Sequence, residues 1–179
     1  MQKFSRPELL AIVIVLALIS IASFFNFRIS LRRARDAQRM SDIGQIVTYL
    51  DNFHSNTGSF PASVDGKMVA CLGPGTTIDP KTGMYINLAP CTWGGNSLLG
   101  KLPIDPSSNQ GAAYLYLSDG RTYQLFASLE GKDEDEYKST VLARDLSCGN
   151  RICNAGKAFS QTPLDKSIEE YENEIRGKL

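Results

Sequence analysis

An apolar run that only serine interrupts dominates the first part of the chain. Leu9–Phe25 contains no charged side chain, and its only polar members are Ser20 and Ser23. At ~1.5 Å rise per residue, a helix of this length measures about 25 Å, close to what the hydrocarbon core of a membrane requires. The pattern therefore predicts a transmembrane helix over residues 4–27.

A cleaved secretory signal peptide is the alternative interpretation of the same run. Its apolar core normally spans ~7–15 residues and is followed by small residues at the cleavage site. Here the run is longer, and three aromatic residues occupy Phe24–Phe27. The sequence therefore favours an anchor that stays attached to the protein.

A second pattern follows with the period of an amphipathic helix. Apolar residues recur at spacings of three and four between residues 40 and 53, which places them on one helical face. These residues are Met40, Ile43, Ile46, Val47, Leu50 and Phe53. The polar set Asp42, Gln45, Thr48, Asp51 and Asn52 is expected on the other side. A stop at Gly58, with Pro61 beyond it, ends a predicted stalk helix over residues 28–57.

The remainder of the chain has the pattern of short strands and turns. Two strands are predicted over Ala113–Leu117 and Thr122–Ala127, joined by an Asp-Gly turn, and a third over Ser139–Ala143. Residues 58–145 would form this β head, and residues 146–179 a cysteine loop and a polar tail. We therefore expect an α+β protein in which the long N-terminal helix packs on a small antiparallel sheet.

The four cysteines all follow the apolar run, as expected for disulfides in an oxidising compartment. Local spacing favours Cys71–Cys91 and Cys148–Cys153, although four cysteines allow three pairings. Zinc is the alternative, but zinc sites usually place close cysteine pairs at both ends of the motif, and Cys71 and Cys91 are far apart.

Charge and motif content give little indication of catalysis. The formal net charge is zero, which offers no basis for predicting nucleic-acid binding. His54 is the only histidine, it falls at the end of the stalk, and nothing around it resembles a nucleophile motif. Asp133 and Asp135, in the acidic segment 130–136, are candidate calcium ligands, but their spacing matches no EF-hand and a solvated loop is expected. We therefore expect no enzyme and no other cofactor.

The order of several segments resembles type IV pilins and type II secretion pseudopilins. These proteins begin, after processing, with a Phe-Thr-Leu-Ile-Glu-Leu-like stretch that leads into an apolar helix and an amphipathic stalk. Phe4, Ser5, Glu8 and Leu9 match that start. The resemblance covers most of residues 4–130, through the segments Ala34–Ile43, Asn56–Pro61, Leu102–Pro106 and Tyr114–Leu129.

The resemblance implies processing and assembly at the N-terminus. A prepilin peptidase would remove the leader, residues 1–3, between Lys3 and Phe4, and the new Phe4 amine would be methylated. That amine would lie near Glu8 of a neighbouring subunit, and the pairing would offset the desolvation of both charges in a filament core. The chain differs from the family in having Lys3 in place of the usual Gly, and Arg6-Pro7 in place of an apolar pair.

The resemblance also implies a location and a set of partners. The subunit would cross the inner membrane once, with its head outside the cytoplasm, surrounded by lipid before assembly. It would then join a periplasmic or cell-surface helical filament of its own copies and other pilin-like subunits, built on an inner-membrane assembly platform. The arginines after the span (Arg28, Arg32, Arg33, Arg35 and Arg39) oppose this orientation on a simple charge count. We interpret them as a stalk face that meets partners. The alternative function is an anchored extracytoplasmic binding domain that does not polymerise.

Overall fold

A single helix forms the backbone of the molecule. The computed structural model describes residues 6–177, and helix α1 (Arg6–Thr57) occupies the first 52 of them. At ~1.5 Å per residue it is about 78 Å long. Pro7 lies in the first turn, where its missing N–H is no loss. Gly58 ends the helix with a φ of 76°, and its N–H donates to the carbonyl of His54 at 2.8 Å. The two helical patterns of the sequence thus form one continuous element.

The head is built from short antiparallel strands and two short helices. The strands are β1 (Ser63–Val64), β2 (Lys67–Cys71), β3 (Thr77–Ile78), β4 (Tyr85–Ile86), β5 (Ala89–Pro90), β6 (Asn96–Ser97), β7 (Gly100–Lys101), β8 (Leu115–Ser118), β9 (Tyr123–Ala127), β10 (Ser147–Cys148), β11 (Arg151–Ile152) and β12 (Ala155–Ala158). The helices are α2 (Ser139–Leu142) and α3 (Ile168–Arg176), and a 3₁₀ turn spans Ser108–Gln110. The structure therefore has the α+β architecture expected from the sequence.

The central sheet has the strand order β12-β9-β8 and is covered on both faces. In β9 all five residues are buried, and alternate side chains enter two different cores. Tyr123, Leu125 and Ala127 belong to the core that α1 covers, whereas Phe126 joins Val141 in the second core. A strand buried on both faces fixes its register firmly, because a one-residue slip would exchange the two sets.

The predicted third strand is wrong in its position. Residues Ser139–Leu142 form the short helix α2, and the third strand of the sheet is β12. Val141 is the one buried residue of α2, so a helical turn is enough to place it in the second core. The sheet is instead completed from the segment after the Cys148–Cys153 loop, with Ala155 opposite Ala127 and Lys157 opposite Leu125.

Smaller strand pairs complete the head. A three-stranded sheet has the order β1-β2-β5, and β3–β4, β6–β7 and β10–β11 are two-stranded. The segment Thr76–Thr92, which its Gly and Pro content predicts as loop, contains the short β3–β4 pair and β5. The tail ends in α3, whose capping box joins Ser167 and Glu170, and none of its residues is buried.

Candidate functional site

The first half of α1 makes no cover with the head. Every residue from 6 to 31, which we call the bare segment, is exposed, and it measures about 39 Å along the helix axis. The Ser20 hydroxyl donates to the carbonyl of Leu16 at 2.8 Å, so this polar group is satisfied within the helix itself. By length and composition, α1 is able to cross a membrane. A bare apolar helix of this kind must be covered by lipid or by other protein.

The residues expected at the N-terminal assembly point are only partly described. Glu8 lies in the first turn of α1 and is exposed. A carboxylate there is favoured by the positive end of the helix dipole, independently of any partner. Lys3 and Phe4, the expected processing and methylation residues, lie outside the described residues. The structure therefore places one member of the expected pair at the very end of the helix.

Arginine side chains mark the transition from the bare segment to the head. The Arg28 guanidinium lies over the Phe24 ring, 4.6 Å from its centroid. One turn further, the Nη2 of Arg32 donates to both carboxylate oxygens of Asp133 at 2.6 and 2.7 Å, and Arg33 approaches the same group at 3.4 Å. These contacts lower the pKa of Asp133, chiefly through the hydrogen bond from Arg32.

Arg39 is the centre of the contact between the stalk and the head. Its side chain is fully buried and makes five hydrogen bonds with its five N–H groups. Two go to the Asp105 carboxylate at 2.8 and 3.1 Å, one to Asp36 at 2.7 Å, one to Glu130 at 3.1 Å and one to the Ser107 hydroxyl at 2.9 Å. We call this group of five residues the clamp, because it joins α1 to two separate loops of the head.

Each carboxylate of the clamp has further donors. Asp36 accepts the backbone N–H groups of Glu130 and Gly131, both at 2.9 Å. Glu130 accepts two hydrogen bonds from Arg35 at 2.9 and 2.6 Å. The hydrogen bond from Arg35, assisted by that from Arg39, lowers the pKa of Glu130 from its ordinary value to about 2. Burial lowers the pKa of Arg39, but its bonds to Asp105 and Asp36 outweigh burial and raise it overall. The clamp is therefore fully ionised at neutral pH.

Asp42 corrects the predicted polar face of the stalk. It is buried, and its carboxylate accepts the Tyr114 hydroxyl at 2.5 Å and the Gln38 amide at 2.6 Å. Burial and this hydrogen bond raise the pKa of Tyr114. Residue 42 lies beside Ile43 on the helix, so the side facing the head is wider than the apolar pattern alone indicates.

The interpretation of the stalk arginines as a face for partners is also corrected for three of them. Arg32, Arg35 and Arg39 pair with carboxylates of their own head. A signal for this was present in the sequence: Asp36 and Arg39 continue the three-and-four spacing of Ile43, Ile46 and Leu50 toward the N-terminus. Residues on that face can be buried only if the head supplies opposite charges.

The cysteines and the acidic segment have structural surroundings. Disulfides join Cys71 to Cys91 and Cys148 to Cys153, the pairs that local spacing favours. Asp133, one of the two calcium candidates, binds Arg32, and Asp135 is exposed. Among residues 6–177, no group of three or more His, Cys, Asp or Glu side chains converges on a possible metal position.

The remaining candidates for chemistry are packed against aromatic neighbours. The His54 ring stacks on Phe60 with centroids 4.4 Å apart. Trp93 meets the Tyr114 ring edge-on at 5.5 Å and packs on the core that α1 covers. Both contacts are those of side chains that stabilise the head.

Comparisons of the chain with protein-family models, with curated proteins and with solved structures give no match. Its class is therefore defined by its own fold: a long helix with a bare apolar half, clamped to a disulfide-containing α+β head.

Proposed function

We propose that the chain is a structural subunit of a type IV pilus-like filament or a type II secretion pseudopilus. The observation that supports this most is the division of α1. Residues 6–31 are bare, whereas Asp36, Arg39, Ile43, Ile46 and Leu50 are buried against the head. The protein thus presents one adhesive helix segment and holds it in a fixed direction.

The bare segment suits two environments in turn. Its apolar length matches the hydrocarbon core of a membrane, about 30 Å, which would hold the subunit before assembly. In a filament the same surface would be covered by the bare segments of other copies, with the heads outside. The two disulfides support a head in an oxidising compartment outside the cytoplasm.

Glu8 has a specific part in this proposal. A carboxylate that leaves water for a filament core loses hydration, and a partner charge must offset that cost. The Phe4 amine of a neighbouring copy, freed by a prepilin peptidase and then methylated, would supply that charge. Only copies at the correct axial offset would make the pair, so Glu8 would set the register of the filament.

The test replaces Glu8 with alanine and measures three quantities separately. We expect the Glu8→Ala chain to remain in membranes after alkaline carbonate extraction and to keep its cysteines protected from thiol reagents. Its yield of sheared filaments, counted by negative-stain electron microscopy, should fall to background. Glu136→Ala, which removes an exposed carboxylate from the head, is the matched control and should leave the yield unchanged.

Two results would contradict the proposal at different levels. Normal filament yield from Glu8→Ala would remove the pairing role of Glu8. Recovery of the unaltered protein only as a lipid-embedded monomer, in cells whose other pilin-like subunits polymerise, would favour the anchored binding domain instead. An intact mass of the mature protein tests whether residues 1–3 are removed.

A further inference from the structure

A disulfide-closed projection concentrates exposed apolar side chains on one part of the head. Residues 72–90, which we call the finger, are closed at their base by Cys71–Cys91 and contain the β3–β4 pair. Ile78, Met84, Tyr85 and Ile86 are 58%, 50%, 46% and 44% exposed. Large side chains exposed together in this way are typical of a contact surface.

The finger is ordered by its own hydrogen bonds. The Asp79 carboxylate accepts the N–H of Lys81 at 3.0 Å and the hydroxyl of Thr82 at 2.8 Å. The Asp79 N–H donates to the carbonyl of Met84 at 2.8 Å, which closes the turn. A surface that is already ordered loses little conformational entropy when it is buried against a partner.

The finger also has very few charges. Between residues 68 and 100, Asp79 and Lys81 are the only charged side chains in the sequence. Asp79 is occupied by its own turn, whereas Lys81 is exposed. The finger therefore presents an apolar surface beside one available positive charge.

A groove elsewhere on the same head has the complementary character. It lies between the β8–β9 hairpin and α3, has a volume of about 320 Å³, and Leu117 and Ile168 contribute its apolar lining. Asp119, Glu169 and Glu172 also line it, and Glu169 is exposed. Glu172 is paired with Arg176 at 3.0 Å, so Glu169 is the carboxylate best placed to accept a new cation. Finger and groove share no residue.

We propose that the finger of one copy docks into the groove of the next copy, with Lys81 against Glu169. This inference rests on the proposed filament and names a second contact within it, made by the heads. Because the two surfaces are different, the contact is heterologous and each copy leaves one finger and one groove open. Such contacts repeat without closing when the rotation between copies permits, and they generate helical rows.

The test exchanges the two charges in the full-length chain. Lys81→Glu and Glu169→Lys should each reduce filament yield several-fold, since each places like charges in contact. The double variant should recover the yield. Coexpression of the two single variants should also recover it, because each finger can then meet a groove of opposite charge. Cysteine protection from thiol reagents checks that every variant is folded.

A second pair of variants examines the apolar part of the contact. Ile78→Glu should reduce filament yield more than either charge variant, because it places a carboxylate against the apolar lining. Ile104→Glu is the matched control, since Ile104 is 53% exposed and lies outside the finger. It should leave the yield close to that of the unaltered protein.

The outcomes separate this inference from the proposed function. Filaments that form equally well from all these variants would overturn the docking while leaving the filament proposal intact. Impaired single variants without recovery in the double variant would also overturn it, and would assign the finger to a different protein or to lipid. Self-association of the full chain in detergent, measured by analytical ultracentrifugation, gives the same charge-exchange readout if no filaments form. Loss of association in the single variants and its return in the double variant would then support docking although the filament proposal had failed.

Discussion

Arg39 is a charged residue from which the head excludes all water, and its five N–H groups are all bound by protein. A buried ion pair is stabilising only relative to its broken form, because each ion has already lost its hydration. Asp36 and Asp105 are also buried, so the clamp has no member that water could rescue if Arg39 were removed. The residue therefore decides whether the head is fixed to the helix at all.

Replacement of Arg39 with methionine keeps most of the side-chain volume and removes the charge. We expect a loss of about 3–5 kcal/mol in the free energy of unfolding, because two carboxylates stay buried without their cation. Urea unfolding of the full chain in detergent, followed by Trp93 fluorescence, measures this. Arg33→Gln is the control: Arg33 is 62% exposed, and its loss should cost no more than about 1 kcal/mol. Equal effects of the two variants would contradict the central role of the clamp.

Glu130 gives the clamp a defined response to acid. Its pKa is lowered to about 2 in the folded protein, chiefly by the hydrogen bond from Arg35, against an ordinary value of 4.5. The unfolded chain therefore binds this proton more readily, and protonation favours unfolding. The contribution to stability is complete above about pH 4.5 and is lost as pH falls toward 2.

Urea midpoints measured between pH 6 and pH 2 provide the check. The unaltered protein should lose stability across this window, and Glu130→Gln should be less stable at pH 6 but show a shallower decline. Glu136→Gln, at an exposed site, should follow the unaltered protein. A decline in Glu130→Gln as steep as that of the unaltered protein would assign the acid response to other carboxylates.

At the scale of elements, patterns of apolar residues predict the parts of the fold that such residues form. The continuous α1, its end at Gly58, the β8–β9 hairpin and the two disulfides follow from periodicity, turn residues and cysteine spacing. The strand β12 does not, because Ala155-Gly156-Lys157-Ala158 has the composition of a poor strand former. It is a strand because β9 offers an unpaired edge beside it.

The stalk face was predicted only where it is apolar. Ile43, Ile46 and Leu50 are buried as their spacing indicates, but Asp36, Arg39 and Asp42 are buried on the same face by partners more than 60 positions away in the sequence. Periodicity identifies a buried position only when the residue itself is hydrophobic. The partners of a buried charge become visible only when the head is folded.

The two disulfides differ in what surrounds them, and this gives a prediction for the elements they join. By loop length alone, Cys71–Cys91 with a separation of 20 should contribute about 3 kcal/mol and Cys148–Cys153 with a separation of 5 about 2 kcal/mol. However, both sulfur-bearing residues of the second pair are fully buried in the core with Phe126 and Val141. Their replacement also leaves a cavity there.

We therefore expect the order of the two losses to be reversed. The double variant Cys148→Ala/Cys153→Ala should lose at least as much free energy of unfolding as Cys71→Ala/Cys91→Ala, measured by urea titration under identical conditions. The first pair would then act mainly by holding the finger. A clearly smaller loss for the buried pair would show that loop closure, and not core packing, determines the contribution of both bridges.

The whole molecule is a helix of about 78 Å with its head attached along the second half only. The head begins at Arg32, little more than one turn beyond the last apolar residues of the predicted span. No loop or glycine separates the two parts, since α1 continues through the boundary without a break. In a bilayer, the head would therefore stand directly on the lipid surface.

This attachment has a mechanical consequence. A load applied to the head passes through Arg39 and its carboxylates into α1 within a single turn, and the unbroken helix transmits it to the bare segment without slack. Lifting the head would draw the anchor out of lipid at the same moment. A machine that inserts such subunits would need to grip only the folded part to move the whole.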